Sequence, residues 1–301
     1  MKRKISSEQA GFLLIFFSGV LWGGSGLFVK WIGSLGVTPV FSSFCRMAFA
    51  LPILAGLTLV KFGPQAFRVS RRTLLSCALM GFVCQAAYNF CYSFAVDELG
   101  VSVSAVLLYL SPVFTCLFAY FLFREPIGWR KVAALVMNIL GCALTVTGGN
   151  LAGITLSVRG LLFALAAALC YSLSAIIGRF ATAHANLYAV GTYNFLFATL
   201  FLLFTQPWQG MAGKVSPMLL LAGFLYGLIP TALTYLLYFT GLQKIRETGR
   251  VPVIASVETV VATLVGIVFF GETVGLANWL GIALVLCSIL LLNTKKAAPA
   301  A

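Results

Sequence analysis

Charged residues are scarce in this chain, since only 9% of its 301 residues are Asp, Glu, Lys or Arg. A soluble domain has about 25% charged residues, so the sequence excludes a soluble globular protein. Histidine occurs once, at His184, which leaves a His–Cys metal site without a second histidine. None of the 8 cysteines forms a CxxC pair, and their apolar surroundings favour buried free thiols. We therefore expect no metal and no other cofactor.

The chain is instead rich in long apolar segments, with 61% hydrophobic residues and a mean hydropathy of +1.02. Most of these segments have about 20 residues, the length that a helix needs to cross a bilayer. Alternating strands of about 10 residues, as in a membrane barrel, do not occur. The sequence predicts an all-α integral membrane protein with ten transmembrane helices, at residues 11–31, 38–60, 73–96, 101–123, 131–149, 159–180, 187–206, 217–240, 250–270 and 275–293.

Basic residues lie mainly on one side of the predicted membrane. With the N-terminus inside, all but four of the 20 Lys and Arg residues fall at cytoplasmic positions; the exceptions are Lys30, Arg159 and Lys214 outside and Arg46 within a helix. Cytoplasmic loops carry such an excess, so both termini are predicted to be cytoplasmic. The net charge of +13 is then a topology signal, and we expect no nucleic-acid partner. The first helix follows a basic N-terminus without a small-residue cleavage site, so we expect it to be retained.

The two halves of the sequence resemble each other. Residues 11–31 align without gaps to residues 160–180, and residues 121–128 align to residues 268–275. The similar offsets, 147 to 149 residues, predict a duplicated unit of five helices. The domains are then a first repeat at 1–149, a linker at 150–158 and a second repeat with a short cytoplasmic tail at 159–301.

An odd number of helices in each repeat decides their relative orientation. The second repeat must enter the membrane from the opposite side, so we predict two inverted five-helix repeats. Glu125 aligns with Glu272 and Lys30 aligns with Arg179, and each pair is divided between the two sides of the predicted membrane. Inverted repeats are common in secondary transporters, which bind substrate near the membrane midplane.

Several motifs resemble the EamA family of the drug/metabolite transporter superfamily. They are VLWGGSGLFVKW, SFCRMAFALPIL, PVFTCLFAYFLFREPIGW and VETVVATLVGIVFFGETVGLANWLG, and the resemblance covers essentially the whole chain as two units. It implies a transporter, in a family whose members carry amino acids, sugars, nucleosides and drugs in either direction. Many members have Glu-Pro in the ninth helix, where this chain has Glu258-Thr259. We therefore expect a weaker kink there than at Ser111-Pro112 in the fourth helix.

Only two charged residues, Arg46 and Glu258, lie deep within predicted helices. A charge in this position is costly, and it marks a functional site by default. Each residue is about 12 Å from its own face of the membrane at 1.5 Å per residue, so an ion pair between them is within reach. One alternative is a permanent structural pair. The other is a role in the transport pathway, in which Glu258 and Arg46 couple transport to protons or bind the charged ends of the substrate.

Polar and aromatic residues elsewhere in the helices are predicted to line a pathway for an amphipathic solute. We expect this pathway to use the first four helices and helices six to nine, with helices five and ten peripheral. The candidate residues are Trp22, Ser25, Arg46, Gln85, Asn89, Tyr92, Tyr109, Ser111, Tyr171, Ser174, Asn194, Tyr235, Tyr238 and Glu258. Individually, such residues also occur in interfacial belts or bridge neighbouring helices.

The sequence favours a secondary active transporter that works by alternating access and exports amino acids or related small metabolites. The alternatives are an importer, or a drug, nucleoside or sugar transporter of the same fold. A membrane-embedded enzyme would need a cluster of His, Asp or Cys residues, a channel would favour symmetric pore-lining rings, and the motif of an ATP-driven pump is missing. We expect no enzymatic activity, and we expect a small-molecule substrate and the lipid bilayer as partners. The protein is expected to be a monomer or homodimer in the cell membrane, specifically a bacterial inner membrane.

Overall fold

Ten helices in the described part of the chain are long and apolar enough to cross a membrane, which confirms the predicted number. The structure is a computed structural model, and it describes residues 6–150, 157–183, 185–205 and 214–293. Labelled in chain order, the helices are α1 (Ser7–Ser34), α2 (Pro39–Phe62), α3 (Arg71–Leu99), α4 (Val101–Phe123), α5 (Trp129–Thr147), α6 (Val158–Ala183), α7 (Leu187–Phe204), α8 (Pro217–Lys244), α9 (Thr248–Phe270) and α10 (Leu276–Asn293).

Local sequence signals fix several helix starts. Ser6 caps α1 through a reciprocal pair of hydrogen bonds: its hydroxyl accepts the backbone N–H of Gln9, and the Gln9 side chain accepts the backbone N–H of Ser6. The hydroxyl of Thr38 caps α2, whose first residue is Pro39. Side-chain caps of this kind satisfy N–H groups that have no partner within the helix, and a proline at the first position loses no hydrogen bond.

The helices pack in a pattern that is unchanged when the two halves are exchanged. Helix α2 packs on α7 and α5 packs on α10, while α1 packs on α8 in the same way that α6 packs on α3. At the α5–α10 contact, called the seam below, the two helix backbones approach each other closely because Gly141 and Gly281 face each other. A Cβ atom on Gly281 would lie 2.6 Å from the carbonyl oxygen of Gly141. Small residues allow this close approach in membranes, where packing drives helix association.

The outer surface of the bundle is apolar. Large hydrophobic side chains are exposed along most helices, including Val60, Phe121, Trp129, Phe204 and Val268. A soluble monomer does not expose apolar surface on this scale, but the hydrocarbon core of a bilayer covers it. The polar side chains are therefore concentrated inside the bundle, where the candidate site lies.

Candidate functional site

A cavity of about 720 Å³ lies inside the bundle and is lined by residues of α1, α2, α3, α4, α6, α8 and α9. No described residue of α5, α7 or α10 lines it. Pockets of roughly 300–1,000 Å³ suit small organic ligands. The polar and aromatic lining includes Trp22, Ser25, Lys30, Arg46, Gln85, Tyr88, Tyr92, Tyr109, Tyr171, Ser174, Tyr235, Tyr238, Glu258, Phe270 and Glu272.

Backbone irregularities surround this cavity in five helices. Helix α1 is interrupted at Gly24, α4 between Leu108 and Ser111, and α9 at Ser256, while π-helical segments occupy Met80–Ala87 of α3 and Leu228–Leu233 of α8. Such departures from α-helix are frequent at functional sites. In membrane proteins they are tolerated where the backbone is buried in protein or faces a cavity. The interruptions therefore indicate the same region as a candidate site, independently of its side chains.

The interruption of α9 is present although this chain lacks the proline that many members of the resembling family have after the glutamate. The hydroxyl of Ser256 donates to the carbonyl of Val253 at 2.6 Å and accepts from the side chain of Asn138 at 2.5 Å. A serine that bonds a nearby backbone carbonyl competes with the helix. Helical spacing does not reveal this substitute for proline, because Ser256 and Asn138 are far apart in sequence; the weaker kink in α9 stays a prediction.

Helix α1 lies directly against the interruption of α9. Cβ atoms on Gly19 and Gly23 would lie 2.6 Å from a side-chain carbon of Val257 and 2.6 Å from the carbonyl oxygen of Glu258, respectively. These two glycines therefore allow the contact that brings α1 beside Glu258. A Cβ atom on Gly26, further along α1, would have no neighbouring heavy atom within 4 Å, so Gly26 borders open space beside the cavity.

Aromatic rings form two walls of the cavity. Trp22 of α1 contacts Tyr235 and Tyr238 of α8, with ring centroids 5.3 and 5.2 Å apart. The second wall also joins the two repeats, since Tyr88 of α3 contacts Tyr171 of α6 at 5.5 Å. The rings present flat apolar faces together with hydroxyl groups, a combination that suits an amphipathic solute.

Arg46 and Glu258 both line the cavity, but within the described residues neither of them takes part in an ion pair. The Nε atom of Arg46 is buried without a hydrogen-bond partner in that part of the chain, and the guanidinium lies 5.6 Å from the centre of the Tyr226 ring. Glu258 lies in the first turn of Val257–Phe270, where the helix dipole favours a negative charge. The structure therefore does not contain the permanent Arg46–Glu258 pair that was one alternative from the sequence.

Eleven of the fourteen predicted pathway residues line the cavity, and three do not. Asn89 instead joins two helices: its amide donates to the Gln85 carbonyl at 2.6 Å and its oxygen accepts from Ser43 at 3.2 Å. Ser111 is buried at the start of the second half of α4. Asn194 is fully buried on α7, where its side-chain amide has no hydrogen-bond partner in the described residues.

Three polar lining residues were not among those predicted, namely Tyr88, Lys30 and Glu272. Tyr88 is three residues from Gln85 and four from Tyr92, so helical periodicity places it on the same stripe of α3 as Asn89. Tyr88 lies at the edge of this stripe that faces the cavity, and Asn89 lies at the edge that faces α2. Helical spacing identifies such a stripe but does not determine which edge a neighbouring helix covers.

The fold and the cavity together define a multi-pass membrane protein with a central cavity of the size that suits small organic ligands. The sequence model of the EamA-like transporter family matches residues 9–147 and again residues 158–294. The chain therefore belongs to the EamA-like transporter family. This membership points to transport rather than to enzymatic catalysis.

Similar proteins carry transporter names. The chain is 28% identical to "Uncharacterized inner membrane transporter YicL" of Salmonella typhimurium, over 99% of this chain and 100% of that protein. It is also 28% identical to an "Uncharacterized transporter" of Archaeoglobus fulgidus, over 92% and 94% of the two chains. A more distant relative, 24% identical over 84% and 83%, is a "Probable terminal-alkyne amino-acid exporter" of Streptantibioticus cattleyicolor.

A solved crystal structure has the same fold. It superposes on this chain with a TM-score of 0.77 at 20% sequence identity, and the match covers 93% of this chain and 95% of the other. At this level of identity the likeness concerns the arrangement of helices alone.

Proposed function

We propose that this protein is a secondary active transporter that exports amino acids or related small metabolites by alternating access. The observation that carries the proposal is the presence of a cation, Arg46, and an anion, Glu258, without ion-pair partners in the described residues around one aromatic cavity. An amino acid has the complementary pair of charges. One relative is named as a probable amino-acid exporter, which supports this substrate class.

Each charged group has a defined task in this proposal. The Arg46 guanidinium binds the substrate carboxylate through its fork of N–H donors. Glu258 binds the substrate ammonium group, and the faces of Trp22, Tyr235 and Tyr238 favour a cation nearby. The tyrosine hydroxyl groups and Gln85 supply further hydrogen bonds; Gln85 already donates to the hydroxyl of Tyr235 at 2.6 Å.

Proton coupling follows from competition at Glu258. Its carboxylate can hold the substrate ammonium or a proton, but not both. If each crossing requires one of these two occupants, substrate moves out as protons move in. An imposed proton gradient then drives export, with Glu258 as the coupling residue and Arg46 as its partner in binding the substrate.

The symmetric helix contacts support two repeats related by inversion in the membrane. The π-helical segments begin 148 residues apart, at Met80 and Leu228, and the interruptions of α4 and α9 follow in the same order. Since each repeat has five membrane-crossing helices, the second must be inverted. The positions of the basic residues support cytoplasmic termini, and the name of the Salmonella typhimurium relative supports an inner membrane.

Counterflow in proteoliposomes tests this proposal. Purified protein is reconstituted with an unlabelled solute inside, and the entry of the labelled solute is measured for a panel of amino acids, sugars and nucleosides. We expect counterflow of amino acids with apolar or aromatic side chains, and at least a tenfold loss for their methyl esters and N-acetyl forms, which lack one charge. A pH difference is then imposed across the membrane of proteoliposomes that hold the protein in each orientation. The side on which the labelled solute accumulates gives the direction of transport.

Other results would select the alternatives. Faster counterflow of a nucleoside or a sugar would replace the amino-acid assignment while keeping the transporter. Accumulation in the direction of the cytoplasm under a physiological gradient would make the protein an importer. No counterflow of any solute in the panel, by protein that is folded and reconstituted, would contradict the proposal.

A further inference from the structure

The two transmembrane helices that end at aligned glutamates terminate in the same way. Arg124 follows the last residue of α4 and Gly271 follows the last residue of α9, both in the left-handed conformation, with φ of 54° and 64°. The backbone N–H of Glu125 then donates to Ala119, and that of Glu272 donates to Gly266, at 3.3 and 3.1 Å. All three matches have the same offset of 147 residues. The backbone therefore presents Glu125 and Glu272 equivalently at the two ends of the bundle.

Glu125 is buried and connects the two repeats. Its carboxylate accepts the backbone N–H groups of Thr248 at 2.6 Å and Gly249 at 3.0 Å, where α9 begins. It also pairs with Arg179 of α6 at 3.2 Å and contacts Lys131 of α5 at 4.0 Å. Hydrogen bonds to a buried carboxylate are among the stronger ones in proteins. No residue of this cluster lines the cavity, so the cavity does not extend to this end of the bundle.

Glu272 has the aligned partners but is not enclosed by them. It pairs with Lys30, the counterpart of Arg179, at 3.6 Å, and both side chains are 56% exposed. The counterparts of Thr248 and Gly249 are Val101 and Ser102, which begin α4 and are exposed. Lys30, Val101 and Glu272 all line the cavity, so the cavity extends to this end of the bundle.

We propose that Glu125 and Glu272 are the latches of two alternating gates. In the state described here the Glu125 latch is closed and the Glu272 latch is open. In the opposite state Glu272 accepts the N–H groups of Val101 and Ser102 beside Lys30, while Glu125 leaves Thr248 and Gly249. This inference rests on the proposed alternating access, and it adds the residues that hold each end shut.

The state of the gates can be measured by labelling a cysteine in the cavity. Ala262 of α9 lines the cavity, and Ala262→Cys is labelled in oriented proteoliposomes with a membrane-impermeant maleimide from either side. The protein without this substitution measures the background from native cysteines. We expect Glu125→Gln to reduce the labelling rate from the Glu272 end at least about fivefold and to raise labelling from the Glu125 end. Glu272→Gln should leave the first rate unchanged or raise it.

Matched carboxylates at each end serve as controls. Glu8 pairs with Arg250 near the Glu125 end, and Glu98 pairs with Arg159 near the Glu272 end; Glu8→Gln and Glu98→Gln should leave both labelling rates within about twofold. Lys30→Glu combined with Glu272→Lys should restore the ion pair but not the latch, because an ammonium group cannot accept the N–H groups of Val101 and Ser102. The thermal transition of each variant in detergent confirms that it is folded.

The result separates this inference from the proposed function. If the parent protein performs counterflow but Glu125→Gln and Glu272→Gln shift labelling in the same direction, or neither shifts it, the latches are wrong and the transporter stands. The proposed function is wrong if the parent protein performs no counterflow and the Ala262→Cys protein is labelled from one end only under both directions of a pH gradient.

Discussion

The two halves of this protein have similar backbones but opposite chemistry at the cavity. Helix α4 resumes after its interruption with Ser111 and Pro112, and α9 resumes with Val257 and Glu258. Conversely, α2 carries Arg46 at the position that aligns with Asn194 of α7. Each half therefore contributes one charge that the other half lacks. The shared backbone suits a scaffold with two equivalent states, while the unequal side chains suit the recognition of a solute with unlike ends.

The largest effect is expected from Arg46→Gln, which removes the only cation that lies deep within the helices in the described part of the chain. A bound carboxylate would lose its charge-assisted hydrogen bonds, so amino-acid counterflow should fall at least about 100-fold. Asn194→Leu, at the aligned position, is the control: its amide makes no hydrogen bond in the described residues, so counterflow should stay within about twofold. Initial rates across a range of substrate concentrations measure both. Equal losses in the two variants would contradict a special role of Arg46.

Glu258→Gln should have the next largest effect, because it removes the second charge and the proposed proton site together. We expect counterflow to fall about tenfold and the remaining rate to lose its dependence on pH between about 5 and 8. In the parent, counterflow should weaken as pH falls, because protons compete with the substrate ammonium. Ser111→Ala, at the aligned position of α4, is the matched control.

A different outcome would change the role of Glu258. If gradient-driven transport falls while counterflow survives in Glu258→Gln, the residue couples protons without binding substrate. If both rates and their pH dependence stay at parental values, Glu258 is structural, and the asymmetry between the halves carries no transport function.

A substitution at the α5–α10 seam should have a smaller effect, and it should lower the stability of the protein rather than its transport rate. Gly281→Val places a side chain against Gly141 of α5, where even a Cβ atom is 2.6 Å from the carbonyl oxygen. Overpacking of this kind costs about 1–3 kcal/mol, so the thermal transition in detergent should fall by several degrees. Gly275→Ala is the control, since its nearest neighbour, the side-chain oxygen of Asn278, would be 3.8 Å away. An unchanged transition in Gly281→Val would show that the seam can separate without loss of stability.

Local sequence predicted the helices of this fold, but long-range contacts decide how the site is built. Apolar length alone gave ten helices, because a bilayer demands that length whatever the neighbours are. The sequence left the side chain of Asn89 ambiguous, because a polar group in a helix can face a cavity or bond a neighbouring helix. Asn89 bonds Ser43 and Asn138 bonds Ser256, and neither partner is recognisable from helical spacing.

The smallest effect is expected from Thr259→Pro, which makes α9 resemble α4 more closely. Thr259 is the third residue after the interruption, and its backbone N–H donates to the Ser256 carbonyl at 3.0 Å. A proline in the first turn loses this backbone bond and the 3.7 Å contact of the Thr259 hydroxyl with the Cys142 thiol, and Pro112 already occupies the aligned position in α4. We expect counterflow within about twofold of the parent and a thermal transition within a few degrees.

Thr263→Pro, one turn further along α9, is the matched contrast. A proline there lies inside the helix, where it costs about 3 kcal/mol or more, and the variant should be unstable in detergent. If Thr259→Pro is as damaging as Thr263→Pro, the interruption at Ser256 is not equivalent to the one before Ser111, and the likeness of the two halves ends short of the cavity. If Thr259→Pro is tolerated, serine and proline are interchangeable means of breaking a helix at the same point in each repeat.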